Sequence, residues 1–303
     1  MIFYKSGEIM KTKPKSIVLL FLTAIIWGFA FVAQKVGAQY VGAFTFNGIR
    51  FALGALSLFP VIMLFEKEKT TKESFIKTLK AGVICGTVLF IASTLQQMGV
   101  EITNSAGKSG FITGLYTVFV PVAAFLFMKK KTSILTWIGA VLAVGGLYLL
   151  CMTGEEAVGI GDLVLLLGTV FWTIHILAID KFMIDGISPL RFSQMQFAVC
   201  AVLSIICALI FEDISFTAIR SALLPILYGG FMSVGVAYTC QVLGQKDADP
   251  TFAAIVLSTE SVFGAIGGVI LAGETMTVSA YIGCVLIFIG IVLSQLKLKK
   301  KSA

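Results

Sequence analysis

Residues 16–37 read SIVLLFLTAIIWGFAFVAQKVG, and residues 161–183 read GDLVLLLGTVFWTIHILAIDKFM. Each run is apolar over roughly 20 residues, the length a helix needs to cross a hydrocarbon core about 30 Å thick. Neither shows the apolar/polar alternation of an outer-membrane barrel strand. The two runs also match one another, with Ile26-Trp27 falling on Phe171-Trp172 at an offset of about 145 positions. Near the same offset Phe51-Ala52 falls on Phe197-Ala198, Glu66 on Glu212, Thr94-x-Gln96 on Thr239-x-Gln241, Gly99 on Gly244, and Ile138-Gly139 on Ile282-Gly283.

Working outward, apolar runs recur at about 16–37, 43–65, 79–97, 105–128, 134–152, 161–183, 189–211, 223–243, 250–271 and 278–296. The expected fold is an all-α integral membrane protein of ten transmembrane helices, arranged as two five-helix repeats over 16–152 and 161–297. Because five is odd, the second repeat inserts upside down relative to the first, the inverted symmetry common among secondary transporters. Composition agrees: of 303 residues 58% are hydrophobic and 13% charged, against about a quarter charged in soluble domains. The length leaves no room for a soluble catalytic or nucleotide-binding domain. The first run lacks a small-x-small cleavage site and reads as a retained helix rather than a signal peptide.

The net charge of +7 would suggest nucleic acid in a soluble chain. Here Lys5, Lys11, Lys13, Lys15, Lys67, Lys69, Lys72, Lys77, Lys80, Lys129, Lys130, Lys131, Lys181, Arg191, Lys246, Lys297, Lys299, Lys300 and Lys301 all fall on one side of the ten-span topology. Only Lys35, Arg50, Lys108 and Arg220 do not. The positive-inside rule then places both termini in the cytoplasm, in the inner cell membrane, with no nucleic-acid partner. Glu101, Glu155, Glu156, Glu212, Asp213 and Glu274 fall on the other side. The six cysteines lie in or at the ends of apolar runs without C-x-x-C spacing, so no metal, cofactor or disulfide framework is expected.

Several motifs carry a resemblance: Ile26-Trp27-Gly28 with Lys35, Asn47-Gly48-Ile49-Arg50-Phe51, Phe111-Ile112 through Val120-Pro121-Val122, and Gly273-Glu274 with Tyr281-Ile282-Gly283. In order and spacing these resemble the EamA family of the drug/metabolite transporter superfamily. The resemblance covers both halves. It implies a ten-helix carrier, commonly an exporter of amino acids, other metabolites or toxic compounds, with a cavity lined by the first, third, fourth, sixth, eighth and ninth spans. One departure is that the ninth span lacks the proline that its counterpart carries at Pro121.

Charges inside spans cost roughly 2.5–3.5 kcal/mol on insertion scales, so each needs a partner or a function. Glu260 lies deepest, about 15 Å along its helix from Pro250. A carboxyl there must be protonated or paired, which suits proton coupling or an ion pair with Arg50 or Lys108. For Arg50, which the resemblance makes a family feature, packing or a structural salt bridge is favoured over substrate contact. Lys108 shares a polar helical face with Asn104, Ser105 and Ser109. The string Ala106-Gly107-Lys108-Ser109 is not a phosphate loop, because Ile102 stands where a glycine is required.

Lys35 and Asp180 occupy corresponding span ends and are expected to anchor at the interfaces. His175 beside Trp172 is either a titrating group or a packing histidine. Gln96 and Gln241 are repeat-equivalent amides, suited to a substrate gate or to helix–helix hydrogen bonding. Trp27, Trp172, Tyr116 and Tyr238 offer flat surfaces for organic or cationic substrates, or simply pack. Gly110-x-x-x-Gly114 and Gly264-x-x-x-Gly268 are expected to meet and close the outer side of the cavity, unless they serve only close packing.

The leading function is therefore a secondary transporter exporting a small amphipathic metabolite, such as an amino acid or amine, by alternating access. Protons are the candidate coupling ion, and the oligomeric state is open. A lipid-linked headgroup flippase of the same superfamily is the alternative. An integral-membrane enzyme is disfavoured because one histidine and isolated acids do not form a catalytic cluster.

Overall fold

The computed structural model describes residues 12–66, 71–130, 132–151, 158–183, 187–272 and 276–296. Lys5, Lys11, Lys67, Lys69, Lys131, Glu155, Glu156, Gly273, Glu274 and Lys297 onward lie outside the described residues, as do the surroundings of Gly268. Among the described residues ten helices cross the bundle and no strand occurs. They are α1 (Pro14–Gly37), α2 (Ala43–Phe65), α3 (Lys72–Thr103), α4 (Ala106–Gly114 continued by Tyr116–Met128) and α5 (Ile134–Cys151). In the second repeat they are α6 (Ile160–Met183), α7 (Pro189–Phe211), α8 (Leu223–Gln245), α9 (Pro250–Leu257 continued by Glu260–Ala272) and α10 (Val278–Gln295). Eight are long and apolar enough to cross a membrane, joined by two shorter apolar helices, Ile134–Leu150 and Val278–Ser294.

Most helix ends fall within two residues of the hydropathy boundaries, because the same residues that stop the apolar run also cap the helix. Pro14, Pro189 and Pro250 occupy first-turn positions, where a missing N–H costs nothing. Ser105 and Asp249, at corresponding places in the repeats, cap the starts of α4 and α9. The exception is α3, whose 32 residues span about 48 Å at 1.5 Å per residue. It outruns the hydrocarbon core because Lys72–Lys80 is helical but too polar to register as a span.

The most extensive helix contacts all run between the two halves: α5 with α10, α2 with α7, α3 with α6 and α7, α1 with α8 and α9. The repeats are interleaved rather than placed side by side. At α5–α10, backbone meets backbone: a Cβ on Gly139 would stand 2.5 Å from the Gly290 carbonyl oxygen, and one on Gly146 the same distance from that of Gly283. The reverse contacts are identical. At α2–α7 the symmetry is electrostatic. Glu212, at the end of α7, accepts the N–H groups of Phe44 and Thr45 in the first turn of α2, both at 2.8 Å. Its counterpart Glu66, at the end of α2, receives the Ser188 hydroxyl and, at 2.6 Å, Arg191 Nε at the start of α7. Each carboxylate thus meets the positive end of its partner helix.

α4 and α9 are interrupted at corresponding points, Leu115 and Ser258-Thr259. The break in α9 needs no proline. Ser258 and Thr259 hydroxyls take the Ile255 and Val256 carbonyls at 2.8 and 2.7 Å, a local competition that loosens the backbone ladder. In α4 the break precedes Pro121 by six residues, and Thr169 of α6 donates to the Ile112 carbonyl at 3.0 Å. α8 carries a π-helical stretch, Tyr228–Tyr238, which its repeat partner α3 lacks.

The glycine contacts generate a prediction with opposite signs. Gly139→Ala places a methyl against the Gly290 backbone and is expected to destabilise the detergent-purified protein by about 1–3 kcal/mol. Gly145→Ala, with open space around its Cβ position, gains helix propensity of up to about 1 kcal/mol. Thermal unfolding of both variants checks the pair.

Candidate functional site

A narrow cavity of about 30 Å³ lies at the centre of the bundle, room for about two water molecules. It sits where the repeats mirror one another: Trp27 and Trp172, Gln96 and Gln241, Tyr116 and Glu260 all line it, each pair occupying corresponding positions of the two halves. Tyr116 and Glu260 open the second segments of the two interrupted helices, which carries both side chains to the same point. There the Tyr116 hydroxyl donates to Glu260 Oε1 at 3.0 Å. Glu260 is 3% exposed.

Tyr238 organises the aromatic wall. Its ring lies 4.6 Å from Trp27, 6.1 Å and stacked on Trp172, 5.8 Å from Phe51 and 5.9 Å from Phe197. The π-helical stretch of α8 supports this wall, since its Ser233 carbonyl accepts from Trp27 Nε1 at 3.2 Å. Arg50 also lines the cavity. Asn47 Oδ1 accepts its Nε at 2.9 Å, and the guanidinium lies 5.3 and 5.0 Å from the ring centres of Phe46 and Phe51. This cation rests on aromatic faces and an amide, within a cavity whose only lining carboxyl is Glu260.

Amides bound the cavity at both ends. Gln96 Nε2 donates to Gln34 Oε1 at 3.0 Å and Gln97 Nε2 to the Gln34 carbonyl at 3.1 Å, joining α3 to α1. On the side where the chain begins, here the N-terminal face, Gln245 Nε2 donates to the Ile176 carbonyl at 3.1 Å, joining α8 to α6.

Of the ten residues the sequence marks for substrate or coupling, the structure gathers Glu260, Arg50, Gln96, Gln241, Trp27, Trp172, Tyr116 and Tyr238 around this cavity. Lys108 and His175 stand apart. Lys108 pairs with Asp162 at 3.0 Å, both side chains largely buried. Among the described residues, Glu260 forms neither of the ion pairs offered as the alternative to coupling, with Lys108 or with Arg50. His175 Nε2 lies 2.9 Å from Gln196 Oε1, outside the cavity wall.

Asp180, at the end of α6, pairs with Lys130 at 2.7 Å. α4 and α6 are thus joined by ion pairs at both ends. The glycine motifs also pack differently from expectation. Gly264 lies against Gly28 of α1, and Gly114 faces Leu147 of α5. Only Gly110 meets α9, where Ser261 donates to its carbonyl at 3.0 Å.

Gln34 was not marked from sequence, and Asn47 entered only as part of a family motif, without a role at the site. Gln34 follows Trp27 by seven residues, two helical turns on the same face, and Asn47 precedes Arg50 by three; that spacing is the signal that finds them. Among the described residues no three His, Cys, Asp or Glu side chains converge to hold a metal ion.

The sequence profile of the EamA-like transporter family matches residues 14–152 and again 159–296. An uncharacterized transporter of Archaeoglobus fulgidus is 28% identical over 279 residues, 92% of this chain and 85% of that protein. The uncharacterized transporter YoaV of Bacillus subtilis is 22% identical, covering 91% of this chain and 95% of its own. One of Clostridium kluyveri is 24% identical over 94% of each. A crystal structure described only as that of a protein superposes with a TM-score of 0.74 at 15% identity, covering 92% of this chain and 95% of that one; it shows the shared fold alone.

The buried Lys108–Asp162 pair predicts non-additive energetics. Lys108→Met leaves the buried Asp162 carboxylate without a cation, held by the Gly159 N–H at 2.8 Å, and is expected to cost about 3–5 kcal/mol, most of which Lys108→Met/Asp162→Asn restores. A double-mutant cycle on thermal unfolding measures the coupling.

Proposed function

Because the chain belongs to the EamA-like transporter family, we propose that it is a secondary carrier exporting a small amphipathic metabolite by alternating access, with Glu260 as the coupling carboxyl. It is a multi-pass membrane transporter. The N-terminal face, which collects the lysines, is the cytoplasmic one.

The observation that carries this reading is the central cavity itself. It lies at the meeting point of inverted repeats and of two interrupted helices, the arrangement in which carriers hold substrate near the bilayer midplane. Its chemistry narrows the class. One guanidinium, one carboxyl and an aromatic wall built on Trp27, Trp172 and Tyr238 suit a substrate with a carboxylate, an ammonium and an apolar body, which is the description of an amino acid. The guanidinium takes the carboxylate, and Glu260 takes the ammonium or a proton in turn.

Competition between substrate and proton for one carboxyl gives exchange without further machinery: the ammonium displaces the proton, and reprotonation on the other side releases the substrate. Tyr116 holds the carboxyl in place as a positioning residue. A flippase would need a cavity wide enough for a lipid-linked headgroup and a lateral opening; at about 30 Å³ the cavity is closed to either substrate in this conformation, and the chemistry of its lining supports the small solute.

Reconstitution in liposomes tests this reading, with radiolabelled amino acids, amines and nucleosides screened with and without a pH gradient. Amino acid uptake driven by the gradient is expected. Glu260→Gln is expected to abolish gradient-driven accumulation, and full accumulation in this variant would rule out coupling at Glu260. Arg50→Lys, which loses the planar fork, is expected to raise the half-saturating amino acid concentration about tenfold or more, equivalent to about 1.4 kcal/mol.

A further inference from the structure

The two halves place different chemistry on one frame. Arg50 corresponds to Gln196, Asn47 to Ser193, Ala30 to His175, and the flanking Phe46 and Phe51 to Phe192 and Phe197. Arg50 and Ala30 line the cavity, whereas Gln196, Ser193 and His175 are sealed at 0% exposure. Their seal is chemically incomplete. Gln196 Nε2, Ser193 Oγ and His175 Nδ1 are all buried without a hydrogen-bond partner. An orphaned buried polar group costs about 1–3 kcal/mol, and these three lie on α6 and α7, which meet at the His175–Gln196 contact; Asn47 Nδ2, on the counterpart of Ser193, is orphaned as well.

We propose that Gln196, Ser193 and His175 form a second carboxylate subsite, closed in this conformation and exposed to the cavity when the N-terminal face opens. The inference rests on the alternating-access reading above. Inverted repeats exchange conformations when access alternates, so the α6–α7 contact takes the geometry that α1–α2 has here. Arg50 and Ala30 withdraw from the cavity, and Gln196, Ser193 and His175 enter it.

The orphaned groups suit that role. The Gln196 amide and the Ser193 hydroxyl are donors, and His175 supplies a third when protonated at Nδ1. They receive the same carboxylate that Arg50 holds in the present conformation. The substrate's carboxylate thus meets a permanent cation in one state and hydrogen-bond donors, with an imidazole, in the other. The frame is symmetric and the binding is not.

Thiol labelling tests the subsite without knowing the substrate. Ser193→Cys and Ala30→Cys are each introduced, both conservative in size, into a parent whose native cysteines are replaced by alanine and which elutes as the wild type. Oriented vesicles then receive a membrane-impermeant maleimide from one face or the other. Ser193→Cys is expected to react from the N-terminal face at least about tenfold faster than from the opposite face, and Ala30→Cys the reverse. Benzoate is expected to slow labelling of Ser193→Cys, and benzylamine is not.

Failure of Ser193→Cys to react from either face, while Ala30→Cys reacts from the opposite face, overturns the subsite and leaves the carrier reading standing. Equal reaction of both cysteines from both faces overturns alternating access itself. Labelling slowed by both probes or by neither overturns the carboxylate assignment.

Discussion

A helix in a bilayer must find partners for its buried polar groups inside the protein, and here many of those partners come from the other repeat. Tyr116 reaches Glu260, Trp27 reaches the Ser233 carbonyl, and Thr23 the Ala237 carbonyl. Thr169 reaches Ile112, and Ser261 reaches Gly110. The ion pairs Lys108–Asp162, Lys130–Asp180 and Arg191–Glu66 obey the same rule. Neither half can satisfy its own interior, so the halves fold as one bundle and the cavity forms at their common centre.

That constraint explains why breaks in the helices are tolerated where they occur. Interruptions in α4 and α9 free backbone carbonyls at mid-depth, and hydroxyls of Thr169, Ser258 and Thr259 take them up. The same interruptions turn Tyr116 and Glu260 toward each other. A continuous helix at either position would present a different residue to the centre, so the local weakness of the backbone and the chemistry of the cavity share one cause.

Symmetry holds for the frame and lapses at its contents. Glu66 and Glu212 perform matching tasks, as do Gly139 and Gly283, because helix ends and close backbone contacts recur in both halves. Arg50 and Gln196, Ala30 and His175, and Tyr116 and Glu260 differ at matching positions, and Arg50, Ala30, Tyr116 and Glu260 line the cavity. The α-helical α3 against the partly π-helical α8 follows the same pattern, since the altered ladder of α8 supports the Trp27–Tyr238 wall. Duplication of a structural unit permits the scaffold to stay fixed while the lining diverges.

The sequence by itself determined the ten spans, the two inverted repeats and most of the residues around the cavity. Apolar run length and the offset between Trp27 and Trp172, or Glu66 and Glu212, are properties of the chain order. A buried charge such as Glu260 or Arg50 is conspicuous against a lipid-like background. Partnership was decided only by tertiary structure, because it depends on which helix faces meet. Sequence spacing could not tell that Lys108 faces Asp162 rather than Glu260, that Asp180 holds Lys130, or that Gly264 rests on Gly28. Each helix fixes the face on which its own residues lie; only packing fixes what lies opposite.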